Sequence, residues 1–186
     1  MQNMSEMSVK DRLAQNRRVI EEFRAKGGNI EGSVPLILLT TTGAKSGQPR
    51  IYPLVAVPDG ENYLAVSSKE GAPKNPLWYH NLLAHPDVTI EVGNNTFAAT
   101  ARLLTGHERH QAFAKAVVVF PPYGEYQKKT ARQIPVFLLE RRANANAKER
   151  KPMKSTRQIT IEHRVIASNQ PYEKVLEGLE SRLGSE

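Results

Sequence analysis

A chain of 186 residues with 39% hydrophobic content can bury one ordinary core and carry an appendage. It has no cysteine, which excludes disulfides, thiolate metal sites and a cysteine nucleophile together. The net charge of +7 invites a nucleic-acid reading, but residues 141–157 hold seven bases against Glu149 alone, a net +6, so the excess reads as a solvated linker. The first thirty residues lack the apolar run of a signal peptide, and no stretch approaches the roughly 20 apolar residues of a membrane span. A cytoplasmic protein is expected, with the basic segment able to touch the inner membrane face weakly.

Ser8 and Asp11 open an amphipathic helix with Val9, Leu13, Ile20 and Phe23 on one face and a stop at Gly27-Gly28. A buried-strand run follows over residues 34–42. Residues 43–47 turn the chain into a second strand over 50–57. The Pro58-Asp59-Gly60 turn leads to a third strand over 62–67. After a polar loop, Asn75 reads as the N-cap and Pro76 as the first residue of a short helix reaching about Ala84. Residues 88–92 and 96–103 form strands joined by a turn containing Gly93.

Thr105 with Glu108 has the spacing of a capping box for a helix to about Val118. Residues 120–133 read as helical after Pro121-Pro122, and residues 134–139 as a closing strand. Consecutive strands on short turns imply an antiparallel meander, either a barrel or a curved sheet. The domain plan is an N-terminal helical segment (1–33), a β domain (34–142), a basic linker (143–157) and a strand–helix unit (158–186). That last unit is too small to bury a core alone.

Three segments could carry chemistry. Thr40-Thr-Thr-Gly-Ala-Lys-Ser-Gly-Gln-Pro-Arg50 combines hydroxyls, glycines and two cations, the ingredients of a cradle for phosphate or clustered carboxylates, or of a plain polar hairpin. It is no Walker loop, because its glycine spacing differs and it joins strand to strand. No GxGxxG occurs anywhere. The stretch from Ser67 to Leu82 places Gly71, Lys69 and Lys74 ahead of a helix carrying the lone Trp78. Trp78 and Leu82, at i and i+4, are a pair more often found in core packing, while the lone tryptophan beside this polar loop modestly favours ligand contact. Phe120, Tyr123 and Tyr126 share a helical face, which serves as a core stripe or as a wall with polar tips.

Metal and acyl-transfer chemistry lack parts. His107-Glu-Arg-His110 is one residue short of HExxH, the remaining histidines are scattered, and no serine sits in a nucleophile elbow. The hard chemistry therefore falls to a cofactor that the protein binds and orients.

These segments, with Pro-Pro-Tyr-Gly-Glu-Tyr126 and Ile134-Pro-Val-Phe-Leu-Leu139, resemble the deazaflavin-dependent nitroreductase family from about Val34 to Glu140. The resemblance implies an α+β, mainly β fold, a split β-barrel like that of the pyridoxamine oxidases, and coenzyme F-420 as cofactor. Ala44, Lys45, Ser46 and Arg50 would hold its phosphate and polyglutamate tail, with Ile51, Tyr52, Pro53, Leu54 and Val55 beside them. Val66, Ser67, Ser68 and Lys69 would line the ring through their backbone. Leu77, Trp78, Tyr79, His80 and Asn81 would complete the seat. Tyr123 would stand at the ring and the substrate, Ser68 would hydrogen-bond the acceptor, and Tyr126 would join them as a catalytic residue.

The implied reaction is hydride transfer from the reduced deazaflavin to a quinone or nitroaromatic acceptor. Family members that activate bicyclic nitroimidazoles carry tyrosine where Phe120 and Val55 stand. Loss of both hydroxyls, each worth about 1 kcal/mol when buried and bonded, argues against that substrate. The alternatives are the same barrel using FMN or haem, or a non-catalytic cofactor-binding or membrane-surface module. The expected partner is a small-molecule electron acceptor, with a homodimer as the assembly to test and no nucleic acid.

Overall fold

The structure, a computed structural model, describes residues 9–142, which belong to one compact unit. The basic linker beyond Arg142 and the strand–helix unit at 158–186 lie outside the described residues.

Helix α1 (Val9–Ala25) opens the described chain. Phe23 is buried and Ile20 half-buried, whereas Leu13 is 59% exposed, so only the C-terminal half of the expected apolar stripe docks. The helix ends as anticipated: Gly27 and Gly28 have φ of 59° and 85°, and the Gly28 N–H donates to Phe23 O at 2.7 Å. A Cβ on Gly28 would lie 2.5 Å from the Gly93 Cα, so glycine is required there by space as well as by φ. Arg24 clasps Glu91 with Nε–Oε2 of 2.9 Å and Nη2–Oε1 of 2.6 Å, fastening the helix to the sheet.

Seven strands follow: β1 (Leu36–Thr42), β2 (Pro49–Val55), β3 (Val57–Asp59), β4 (Asn62–Val66), β5 (Asp87–Val92), β6 (Asn95–Leu103) and β7 (Val136–Arg141). Between them lie α2 (Leu77–Ala84), α3 (Gly106–Val119) and α4 (Pro122–Lys128). All pairings are antiparallel, in the order β2-β1-β5-β6-β7-β4-β3. The three hairpins are as expected, but the sheet is no simple meander: β7 inserts between β6 and β4, and β5 pairs with β1.

The strand expected over 50–57 is two strands. β2 pairs with β1 and β3 with β4, at opposite ends of the sheet order, with Ala56 alone between them. The sheet must therefore curl until its two edges are one residue apart, which makes the fold a split β-barrel. Its core follows the two-residue strand period: Ile37 and Leu39, Val88 and Ile90, Phe97, Ala99 and Ala101, and Phe137 and Leu139 all point inward. Trp78 and Leu82 of α2 join that core.

Two caps anticipated from the sequence are not made. α2 has Pro76 at its N-cap with no side-chain cap bond, because Asn75 Oδ1 accepts from Arg132 Nη1 at 2.7 Å and from Ser67 Oγ at 3.4 Å. At α3, Thr105 makes no side-chain cap bond, and the Glu108 carboxylate is held by Arg102 at 2.7 and 2.8 Å. Helical structure over 120–133 is confined to α4, and residues 129–133 run irregularly to β7.

Gly28→Ala should cost about 2 kcal/mol, since it adds strain at positive φ to a clash with the Gly93 backbone. Urea denaturation of the variant beside the parent checks this, and equal midpoints would contradict the packing of α1 on the β5–β6 turn.

Candidate functional site

The hairpin between β1 and β2 is closed by Gly43 N–H to Gln48 O (2.9 Å) and Gly47 N–H to Gly43 O (2.8 Å), with Gly47 at φ 64°. Ala44, Lys45, Ser46 and Arg50 are exposed on it. Strand alternation divides the neighbours expected to assist them: Tyr52 and Leu54 pack against the barrel core, which places Ile51, Pro53 and Val55 on the opposite face.

Asn81 ties this hairpin to α2. Buried at 7% exposure, it accepts the Ala44 N–H through Oδ1 at 3.0 Å and donates through Nδ2 to Thr41 Oγ1 at 2.9 Å. Its amide is thus committed to protein groups. Tyr52 lies in the same group. Burial raises its phenol above the ordinary value of 10.0, partly offset by the Asn81 amide and the Arg50 charge.

The second segment leaves the end of β4 and leads into α2. Val66, Ser67 and Ser68 are buried and Lys69 is exposed. The backbone then turns left-handed at three successive residues, Lys69 (φ 45°), Glu70 (φ 56°) and Gly71 (φ 82°). Two of these are not glycine, and left-handed backbone costs a residue with a Cβ about 1 kcal/mol or more. Strain of this kind persists where surroundings hold it, and here they are explicit. A Cβ on Gly71 would lie 2.7 Å from Tyr126 O, so α4 presses on one side of the loop. On the other side Arg132 donates to Ala72 O (2.9 Å), Ser67 O (3.0 Å), Ser68 O (2.7 Å) and Asn75 Oδ1.

The hairpin and the loop therefore meet on one short helix. The loop enters α2 at Leu77 and the hairpin bonds it at Asn81, four residues or about 6 Å of helix axis away. Of the other α2 residues singled out, Leu77 is 73% exposed and His80 exposed. Tyr79 is half-buried with its ring edge-on to Phe137 at 5.6 Å. Trp78, at 4% exposure, is a core residue packed near Phe137 at 6.2 Å.

Tyr123 is buried, with Phe120 edge-on at 5.0 Å and Tyr126 at 6.4 Å, so the aromatic set is one cluster on and beside α4. Gly71 brings this helix to the loop, so the third sequence segment adjoins the second. Phe120 is itself buried.

Exposed cations without an acid partner among the described residues occur at the site, as they do at Lys129 and Arg141. Lys45, Arg50, Lys69 and Lys74 form no ion pair among the described residues, whereas Arg24, Lys26, Arg102, Lys115 and Lys128 all do. Between residues 32 and 86 the only acids are Asp59, Glu61 and Glu70, and Asp59 is taken by Lys115 at 2.6 Å. The Ser68 hydroxyl has no hydrogen-bond partner among the described residues. Unneutralised cations and an unspent hydroxyl fit an anionic ligand that can accept a hydrogen bond. Among the described residues no group of histidine and acid side chains could hold a metal ion.

Sequence reasoning missed Arg132, Gln127 and Arg109. Arg109 is buried on α3 and donates to Ile134 O (3.0 and 2.5 Å) and Gln127 Oε1 (3.1 Å). Gln127 in turn donates to Arg132 O at 2.8 Å. No motif marks the two arginines, because the backbone oxygens they reach lie 25 to 65 residues away in sequence, and Gln127 bridges them.

Residues 13–141 match the family model described as F420H2-dependent quinone reductase. An F420H2-dependent quinone reductase of Mycobacterium tuberculosis is 45% identical over 119 residues, which are 62% of this chain and 80% of that protein. A putative second reductase of that name and organism is 32% identical over 116 residues, 62% of this chain and 98% of its own length. Among solved structures, an F420H2-dependent reductase (FDR-A) is 48% identical with a TM-score of 0.55, covering 57% of this chain and 94% of the other. Another, described as a domain-swapped dimer, is 42% identical with a TM-score of 0.57, covering 72% and 100%.

Stability should fall as pH rises above about 10. The folded chain keeps the Tyr52 proton where the unfolded chain has lost it, so the stabilisation is complete below the unfolded value and lost through the higher folded one. Urea titrations between pH 9 and 11.5 should show a shallower decline for Tyr52→Phe; parallel slopes would refute the raised, half-buried phenol. Asn81→Ala should cost about 1–3 kcal/mol by leaving Thr41 and the Ala44 N–H short of a partner. Faster amide exchange at Ala44 would accompany it, and an unchanged rate would show that Asn81 does not anchor the hairpin.

Proposed function

The chain belongs to the F420H2-dependent quinone reductase family, and from that membership we propose that it passes hydride from reduced coenzyme F-420 to a quinone-type acceptor. The observation that carries the reading is the set of unpaired cations Lys45, Arg50, Lys69 and Lys74, distributed over two segments that converge on α2.

Lys45, Ser46 and Arg50 hold the anionic tail of the coenzyme. Their exposure on a hairpin suits a long, flexible, multiply charged chain better than a buried pocket would. Val66–Lys69 present backbone to the ring, and Leu77, Tyr79 and His80 flank it from α2. When bound, the deazaflavin supplies a hydride donor, which no side chain of the protein can replace.

The chain's own share is orientation and exclusion of water. Ser68 offers its hydroxyl to the acceptor's oxygen, and the edge-packed Phe120, Tyr123 and Tyr126 form the wall that aligns a flat acceptor. Phe120 lends no hydroxyl to this wall, which suits a quinone and disfavours a bicyclic nitroimidazole.

Purified full-length chain should bind F-420 at micromolar concentration, in preference to FMN or haem, and oxidise its reduced form with a soluble quinone. Replacing both Lys45 and Arg50 with alanine should weaken F-420 binding at least tenfold, with the melting temperature moving by no more than about 2 °C, since exposed unpaired cations contribute little to folding. Equal affinity in the double variant would remove the hairpin from the site, and absence of F-420 binding by the parent would end the functional reading.

A further inference from the structure

Arg132 does something that a loop clamp need not do. Its guanidinium has no acid partner among the described residues; its acceptors are three backbone carbonyls and the Asn75 side-chain oxygen. A planar five-donor fork suits such a set, and lysine cannot reproduce it. Two of its bonds go to successive carbonyls, Ser67 O at 3.0 Å and Ser68 O at 2.7 Å.

The Ser68 carbonyl belongs to the peptide unit whose N–H is that of Lys69. It accepts a second bond from Gly71 N–H at 3.1 Å. At the other end of the same peptide, the Lys69 N–H has no hydrogen-bond partner among the described residues. Charge-assisted bonding to a carbonyl polarises its amide and strengthens the N–H across it. Ser68 is right-handed (φ −72°, ψ −48°) and Lys69 left-handed (φ 45°), the alternation from which backbone anion nests are built.

We propose that Arg132 is a positioning residue for the redox site. It holds the strained turn at 68–71 in place and, through the Ser68 carbonyl, makes the Lys69 N–H a strengthened donor that favours the electron-rich, reduced form of the bound ring. The inference rests on the proposed cofactor. A hydride brings one negative charge to the ring system, so a donor reinforced by a cation binds the reduced ring more tightly than the oxidised one. Gln127 and Arg109 support the arrangement: Gln127 fixes the Arg132 carbonyl, and Arg109 fixes Gln127.

The test is an anaerobic titration of full-length parent, R132K and R132M with oxidised and with reduced F-420, alongside their melting temperatures. R132M should lose at least tenfold more affinity for the reduced form than for the oxidised, equivalent to a fall of about 30 mV in the two-electron potential of the bound coenzyme. R132K should lose at least threefold in the same direction.

If the parent binds neither form, the functional reading fails and Arg132 is not at issue. If the parent binds and both variants keep its ratio of affinities, even with both affinities lowered together, Arg132 is a scaffold only and the proposal is overturned. Should R132M not fold, R132K decides: an unchanged ratio overturns the proposal and a shifted one supports it. Failure of both variants to fold assigns Arg132 to folding and also overturns it.

Discussion

One residue, Ala56, separates the two edges of a seven-stranded sheet. β2 and β3 are consecutive in the chain yet pair at opposite ends of the strand order, so a flat sheet would have to stretch that single residue across six inter-strand spacings of about 4.8 Å each. Curling is the only solution, and the Ala56 N–H to Pro35 O bond of 2.8 Å anchors the chain at the crossing. The curl creates the interior that Ile37, Leu39, Ile90, Phe97 and Phe137 fill. It also brings together the neighbourhoods of the two edges. The cationic hairpin ends in one edge strand, and the left-handed loop leaves β4, beside the other.

Buried and half-buried polar groups then settle what the sheet leaves loose. Asn81 joins hairpin to helix, Arg132 joins loop to the approach of β7, and Arg109 with Gln127 joins α3 to that approach. A buried donor without its acceptor costs about 1–3 kcal/mol, so Asn81 and Arg109 pin irregular backbone nearly as firmly as a ladder pins a strand. The surface ion pairs are different in kind. Arg102 with Glu108 and Glu140 is half-exposed, and such pairs contribute little to stability. Spending those charges on each other still matters, because Lys45, Arg50, Lys69 and Lys74 form no ion pair among the described residues and stay available to an anion.

The division of labour follows from this. The core and the polar ties hold the loop in a strained shape that an isolated peptide would not keep, and Lys45, Arg50, Lys69 and Lys74 hold no ion pair among the described residues that binding would have to break. A scaffold so arranged supplies position and electrostatics while a bound coenzyme supplies the electrons, as family membership implies.

Much of this was legible in the residues. The hairpin turns, the glycine stop of α1, the short tryptophan helix and the three functional segments follow from local rules, because turns, helix ends and apolar periods are decided within a few residues. The caps at Asn75 and Thr105 did not follow, because Arg132 and Arg102 reach their oxygens, or those of the capping partner, from elsewhere in the chain. Nor did the break at Ala56, since Arg50 to Val57 carries the composition of one strand and only partner choice divides it. Tertiary structure alone decided which strands became edges, that β7 lies between β6 and β4, and that Arg132 holds the loop. Those outcomes depend on pairings between residues tens of positions apart, and no local pattern encodes the acceptor that a backbone carbonyl becomes only once the chain has folded around it.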